Sequence, residues 1–417
     1  MPATYGFLST YPPTQCGLAT FNAALATHLN TGGGSGVVRL LASDNISGGI
    51  ELDLGAPRVA HTWHTDNPGG WRAAADALNR YQVAIIQHEY GIYPGDAGGE
   101  VLPLLRALKI PSIIVLHTVL SNPDPLQRDV LERIALTADA VVTMTDTARQ
   151  RLISRYAVEP RKISVIPHGA GTHANAPRED HDRPHLLTWG LLGPGKGIEW
   201  ALRALALLED LSPAAVYTVA GRTHPKVLEQ FGDVYRDSLK ELAASLGVAD
   251  AVRWEDRYLD EASLFRMIRS ADVVVLPYDS TEQVTSGVLI EAVGAGIPVV
   301  ASEFPHAVEL LADGPGLLVP HQDPEAMAAA VRHLLAEPGL AGRLTGLTGG
   351  PTLRWPAVAA RYQALAGRLL AGRGPVGGAP IAGAPAGGSA VAGAPVGGAP
   401  AGGAPIAGAP VAASVPA

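Results

Sequence analysis

A carboxylate stands inside an apolar run in "EQVTSGVLIEAVGAGIPVV", Glu282 to Val300. Thr285, Ser286 and Gly287 are small residues suited to a helix start. Val288 to Val293 read as a helix broken only by Glu291, and Gly294 and Gly296 stop it. A charged group there needs a partner. Two are open: another side chain, or a ligand hydroxyl at the N-terminal end of the helix. A second place for chemistry is "GLLGPGKGIEWALRAL", where Lys196 follows a glycine-rich turn at a helix start. Exposed N–H groups and an ammonium together attract phosphate, although a solvated surface lysine fits the same pattern. The spacing is not that of a P-loop, because Gly197 follows the lysine.

Several single residues fall at the ends of apolar runs. Gly17 in "YPPTQCGLATFNAALATHL" marks a tight turn or a close approach of backbone to a ligand. Arg222 in "AGRTHPK" offers a guanidinium able to grip a diphosphate in two places, or an ordinary surface ion pair. His117 closes "PSIIVLH" and Glu89 closes "QHE", each with a structural role as the alternative. His61, His64 and Asp66 in "HTWHTD" lack a third metal ligand at a recognised spacing, and Asp180 and Asp182 lie in a polar bridge as solvated charge. Metal dependence is therefore not expected.

The elements that must position these residues alternate. "TYGFLS", "VVRLLA", "QVAIIQ", "PSIIVLH", "DAVVTMT" and "KISVIP" read as strands of a first half, and "HLLTWGLL", "AAVYTVAG", "ADVVVLPY" and "IPVVAS" as strands of a second. Turns or amphipathic segments follow each run, which predicts an α/β fold of two doubly wound, Rossmann-like domains facing a cleft. Ligands of such sheets bind beyond the carboxyl ends of the strands, where the residues above fall. The expected division is 1–180 for the N-terminal Rossmann-like domain, 181–350 for the C-terminal one, 351–373 for a terminal helix, and 374–417 for a tail.

That tail repeats "GAP" units without a charged residue and has little to bury, so disorder is expected. The 417 residues carry a net charge of −8, which argues against nucleic-acid binding through a general basic field. Neither a secretory signal nor a membrane span is expected, and a cytoplasmic location is the default. Peripheral contact with the inner membrane surface stays open. Cys16, the single cysteine, forms no internal disulfide and reads as a packed thiol beside Gly17.

Taken together, "YPPTQCGLATF" (Tyr11–Phe21), "PHG" at Pro167, "GPGKGIE" at Gly193 and "QVTSGVLIEAVGAGIPVVASEFPHAVELL" (Gln283–Leu311) resemble the family-four retaining glycosyltransferases of the GT-B type, over roughly residues 3 to 370. The bacterial mannosyltransferase-like members are the nearest in pattern. The resemblance implies a nucleotide-sugar donor lying across the cleft, GDP-mannose first and UDP-glucose second, and no cofactor. It gives Lys196 the diphosphate, Glu291 the ribose hydroxyls, and the backbone N–H groups of Ser286 and Gly287 the phosphate or sugar. Thr285 and Gln283 join the donor site, Gly17 lets the first loop approach the diphosphate, and His117 contacts the transferred sugar. Glu89, Gly91 and Glu282 are the further sugar or acceptor contacts. The acceptor would be a carbohydrate, polyol or lipid-linked hydroxyl.

Two departures from the family pattern stand out. Gln283 occupies a position where the motif has glutamate, and Leu191 and Leu192 stand where many members carry an arginine before Lys196. Arg222 is the candidate replacement for that charge. The alternatives are a degenerate, non-catalytic partner subunit and an epimerase acting on a UDP-amino sugar.

Overall fold

The computed structural model describes residues 2–42, 55–67, 69–171, 181–312, 314–337, 339–346 and 350–372. Asp180, most of the polar bridge around it and the repetitive tail lie outside the described residues.

The apolar runs form two all-parallel sheets. The first contains β1 (Tyr5–Thr10), β2 (Gly36–Leu41), β3 (Arg58–His64), β4 (Val83–His88), β5 (Ser112–Leu116), β6 (Ala140–Thr143) and β7 (Ile163–Val165), in the order β3-β2-β1-β4-β5-β6-β7. The second contains β8 (His185–Trp189), β9 (Val216–Ala220), β10 (Val252–Glu255), β11 (Val273–Leu276), β12 (Val299–Ser302) and β13 (Gly316–Val319), in the order β10-β9-β8-β11-β12-β13. Every residue of β4, β5 and β8 is buried, as helices on both faces of a parallel sheet require. Three strands carry no strong signal in the sequence: β3, β10 and β13. All three lie at sheet edges, and β3 is largely polar or half-exposed along its length, so neither alternation nor a continuous apolar run marks it. His61 and His64 belong to this edge strand.

The helix Trp355–Gly372 returns to the first sheet. Trp355, Val358, Tyr362 and Leu365 are buried with Phe7, Phe21 and Val37, at about 1.5–3 kcal/mol for each aliphatic side chain so removed from water.

The two halves also meet along a seam beside the cleft. Val284, from the second half, is 2% exposed within the core of the first, and its carbonyl accepts a hydrogen bond from Thr145 Oγ1 at 3.0 Å. Glu309 accepts from the backbone N–H groups of Asp146 and Thr147, each at 2.8 Å, and so satisfies the open start of the helix Asp146–Arg155. Among the described residues no helix is long and apolar enough to cross a membrane.

Candidate active site

Strand order reverses between β1 and β4 in one sheet and between β8 and β11 in the other. The crevice outside the carboxyl ends of strands at such a point is where doubly wound sheets hold ligands. The loops after β1, β4, β5, β8, β9 and β11 carry Gly17, Glu89, His117, Lys196, Arg222 and Gln283 respectively.

Glycine sets the course of the loop after β8. A Cβ on Gly221 would sit 1.9 Å from the Gly190 carbonyl oxygen, and one on Gly197 would sit 1.8 Å from that of Pro277. Gly190, Gly195, Gly197 and Gly221 all have positive φ. The loops after β8 and β9 are joined by Leu192 N–H to the Arg222 carbonyl (2.8 Å) and His224 N–H to the Leu192 carbonyl (2.7 Å). Lys196 is thereby held at the start of the helix Ile198–Ala206, with its ammonium 4.5 Å from the centre of the Tyr278 ring. It makes no ion pair among the described residues, and burial lowers its pKa to about 8. Leu192 is 1% exposed and belongs to the hydrophobic core, so an arginine could not replace it without opening that core.

The helix Gly287–Gly294 begins in the same half, after the neighbouring strand β11, with Ser286 Oγ accepting from the Leu289 N–H at 3.2 Å. The expectation that Ser286 offers its backbone N–H to a ligand needs correction. That N–H is donated to His306 Nδ1 at 2.8 Å, and burial keeps His306 neutral by lowering its pKa to about 3. Gly287, the first helical residue, retains its N–H at the open end. Thr285 Oγ1 is buried without a hydrogen-bond partner among the described residues. Gln283 spends its amide nitrogen on the Thr285 carbonyl at 3.2 Å, so it shapes the loop. Glu291 is half-buried one turn into the helix; its Oε2 accepts from Gly171 N–H at 3.3 Å and its charge opposes the lowering of the His168 pKa by burial.

Glu282 has a structural task. Its carboxylate accepts from Ser121 N–H at 2.7 Å and from the Ser121 hydroxyl, and pairs with Arg151 Nη1 at 2.9 Å. Both oxygens are thus committed to the seam between the halves. Arg151, which no motif or spacing singles out, also donates to the carbonyls of Val119 and Glu282.

On the first half, Gly17 opens the helix Gly17–Leu29, and a Cβ built there would meet nothing within 4 Å. Cys16 caps this helix, its Sγ accepting from Ala19 N–H at 3.4 Å, in keeping with a packed thiol. Arg222 donates across the cleft to Gln15 Oε1 at 3.3 Å. Glu89 is 6% exposed, accepts from Tyr90 N–H at 3.0 Å and Thr118 Oγ1 at 2.5 Å, and has its pKa raised by burial. A Cβ on Gly91 would lie 2.7 Å from Lys226 Nζ, so this cation of the second half reaches the loop of the first. Lys226 lies in the quoted "AGRTHPK" but nothing in its spacing distinguished it from surface charge. His117 hydrogen-bonds through Nε2 to Gln87 Oε1 at 2.9 Å, with the Phe21 ring edge-on at 4.8 Å, and burial lowers its pKa to about 3. Among the described residues no group of three or more His, Cys, Asp or Glu side chains is placed to hold a metal ion.

Comparison with known proteins follows this division. Residues 40–174 match the family described as Glycosyltransferase Family 4, and residues 183–337 match Glycosyl transferases group 1. A D-inositol 3-phosphate glycosyltransferase of Acidothermus cellulolyticus is 32% identical over 239 residues, 53% of this chain and 51% of that protein. A GDP-mannose-dependent alpha-(1-6)-phosphatidylinositol monomannoside mannosyltransferase of Mycolicibacterium smegmatis is 29% identical over 268 residues, covering 58% and 66% of the two chains. The chain thus matches about half the length of the first of these relatives. In solved structures, the sucrose-phosphate synthase of Thermosynechococcus elongatus superposes with a TM-score of 0.69 at 20% identity, over 89% of this chain and 100% of that one, and shares the fold. Two adjoining family matches, one on each half of a cleft built from paired parallel sheets, make this chain a member of the family-four glycosyltransferases of the GT-B type.

Proposed function

We propose that the protein transfers a hexose from a nucleoside diphosphate sugar to a hydroxyl acceptor, with retention of anomeric configuration and without a metal ion. The observation that carries this reading is Lys196: a desolvated ammonium without a counter-ion among the described residues, held by left-handed glycines at one helix start, with a second helix start after the neighbouring strand β11 of the same half. A diphosphate supplies the missing negative charge. Glu291, one turn along the second helix, takes the ribose hydroxyls, and the unpartnered Thr285 hydroxyl and Gly287 N–H bind phosphate or sugar oxygens. Arg222, already bridging the halves through Gln15, supplies the second cation that Leu192 cannot.

In the transfer, the bond from the anomeric carbon to the diphosphate oxygen breaks as the acceptor oxygen bonds to the same face. The acceptor proton passes to the departing phosphate oxygen. The protein accelerates this chiefly by stabilising charge on the leaving diphosphate with Lys196 and helix N–H groups, and by orienting the acceptor. GDP-mannose is the favoured donor, in line with the relative named for its dependence on it, and UDP-glucose is second. The acceptor is a glycan, polyol or lipid-linked hydroxyl; the last would bring the protein to the cytoplasmic membrane surface.

A second reading, a degenerate partner subunit, draws on Leu192 and on Gln283, whose amide holds its own loop. One experiment separates the two. Calorimetry of the full chain with GDP, UDP, ADP and their mannose and glucose conjugates is followed by a hydrolysis and transfer assay with the tightest binder. Selective binding with turnover supports the transferase. Binding without turnover across acceptors supports the partner subunit, and no binding defeats both site assignments.

A further inference from the structure

Beneath His117 runs a buried row of polar side chains that the transfer chemistry does not itself use. Gln87 precedes the last residue of β4 and is fully buried. Its Oε1 faces His117 Nε2 at 2.9 Å, and its Nε2 donates to Asn22 Oδ1 at 3.4 Å. Asn22 is also fully buried, on the helix that Gly17 opens, and its Nδ2 has no partner among the described residues. Ser9, next in register on β1, is buried with its hydroxyl unpartnered among the described residues. Buried polar groups of this kind persist where they fix a particular arrangement.

A primary amide has one donating end and one accepting end. With the nitrogen of Gln87 committed to Asn22, only its oxygen is left for His117, and an oxygen can only accept. The imidazole nitrogen facing it must therefore carry hydrogen. A neutral imidazole has one such hydrogen, so the other nitrogen is bare. The titratable groups facing the ring are His88 on β4 and His168 after β7, and both disfavour a second proton, as does burial. Phe21, edge-on to His117 at 4.8 Å and to His168 at 4.9 Å, limits rotation of the ring.

We infer that Gln87, backed by Asn22, is a positioning residue that fixes His117 as the Nε2–H tautomer and so presents Nδ1 as a hydrogen-bond acceptor. The group it selects is a donor, a sugar hydroxyl, in preference to a carboxylate or phosphate, whose lone pairs would meet that of Nδ1. This rests on the reading of the cleft as a nucleotide-sugar site only for the identity of the ligand; the tautomer itself is a property of the free protein.

The test begins with histidine-selective 15N labelling of the full chain, with His117 assigned by the resonance lost in His117→Gln. Two-bond proton–nitrogen correlations near pH 7 distinguish the tautomers. The expected pattern is protonated Nε2 and bare Nδ1 in the unsubstituted protein, and a mixture in Gln87→Met. A bare Nε2 in the unsubstituted protein, which both amides turned end for end would produce, overturns the inference. So does Gln87→Met leaving the tautomer unchanged. Gln87→Glu keeps an acceptor at Nε2 but places a carboxylate beside the ring, raising its proton affinity. With the donor that turns over, its kcat/KM should fall as pH drops through the raised histidine pKa, while the unsubstituted protein shows no such inflection. Gln87→Met should lose about tenfold in kcat/KM, the worth of one neutral hydrogen bond. If no nucleotide sugar is turned over, the transferase reading fails and the spectroscopic result still decides the tautomer.

Discussion

Lys196→Met should make the unliganded protein more stable and the enzyme far slower. The ammonium is stranded by its own fold, lowered from 10.5 to about 8 by burial, which amounts to a penalty of roughly 3 kcal/mol for keeping it charged. Its place over the Tyr278 ring returns roughly 1 kcal/mol. Methionine keeps an apolar stem of similar reach and carries no charge, so about 2 kcal/mol of net stabilisation is expected at pH 7. The melting temperature of the unliganded chain should rise by roughly 4–8 °C.

The sign of the pH dependence makes this specific. Below pH 8 the lysine is charged in both folded and unfolded chains, and the penalty is complete. Between about 8 and 10.5 the folded chain sheds the proton first, so the unsubstituted protein recovers and the gap to the variant closes. Turnover moves the opposite way: loss of one preorganised positive group at a leaving diphosphate should reduce kcat/KM by about 10²–10³-fold. Scanning calorimetry across pH 7 to 10 and initial-rate kinetics read the two effects. A variant less stable than the parent at pH 7, or one within threefold of its activity, would refute the claim that this ammonium awaits a diphosphate.

Glu291→Gln removes the charge offered to ribose but keeps a hydrogen-bonding shape; nucleotide affinity should weaken about tenfold by calorimetry, and an unchanged Kd would remove this residue from the donor site. Glu282→Ala strips Ser121 and Arg151 of their partner at the seam and should cost about 1–3 kcal/mol in chemical unfolding, because Arg151 is only 14% exposed; a neutral result would make the contact ornamental. His88, His117 and His306 are pushed down to about 4, 3 and 3 from 6.5, so the unfolded chain takes up protons first as pH falls below 6.5. Stability should therefore drop on acidification by about 1.4 kcal/mol per pH unit for each. His306→Asn, which retains an acceptor for the Ser286 N–H, should flatten that limb, and an equally steep limb would show that His306 titrates freely.

What was legible in the sequence depended on whether one residue type could be interpreted without its neighbours. Gly197 and Lys196 announce a helix start after a left-handed turn, which the structure shows, and the anion proposed there rests on the same two residues. Central strands such as β5, apolar from Ile113 to Leu116, and β11 are continuous apolar runs and declare themselves. Edge strand β3 and the four-residue strands β10 and β13 do not, since burial on both faces is what writes such a run. Pairings across the chain were beyond reach for a different reason. Glu282 looked as available to a sugar as Glu291 did, and only the fold shows that Arg151, 131 residues away in sequence, claims it, while Glu291 accepts from the Gly171 N–H. Ser286 failed in the same way: its motif is that of an N-cap, which it is, but its backbone N–H had already been taken by His306. The family motif thus mixes residues proposed to face the ligand with residues that hold their neighbours still. A substitution series that includes His306 and Gln87 beside Lys196 and Glu291 separates the two roles, because loss of a supporting residue is read in tautomer or in the acid limb of stability, and loss of a ligand contact is read in nucleotide affinity beyond any change in the free protein.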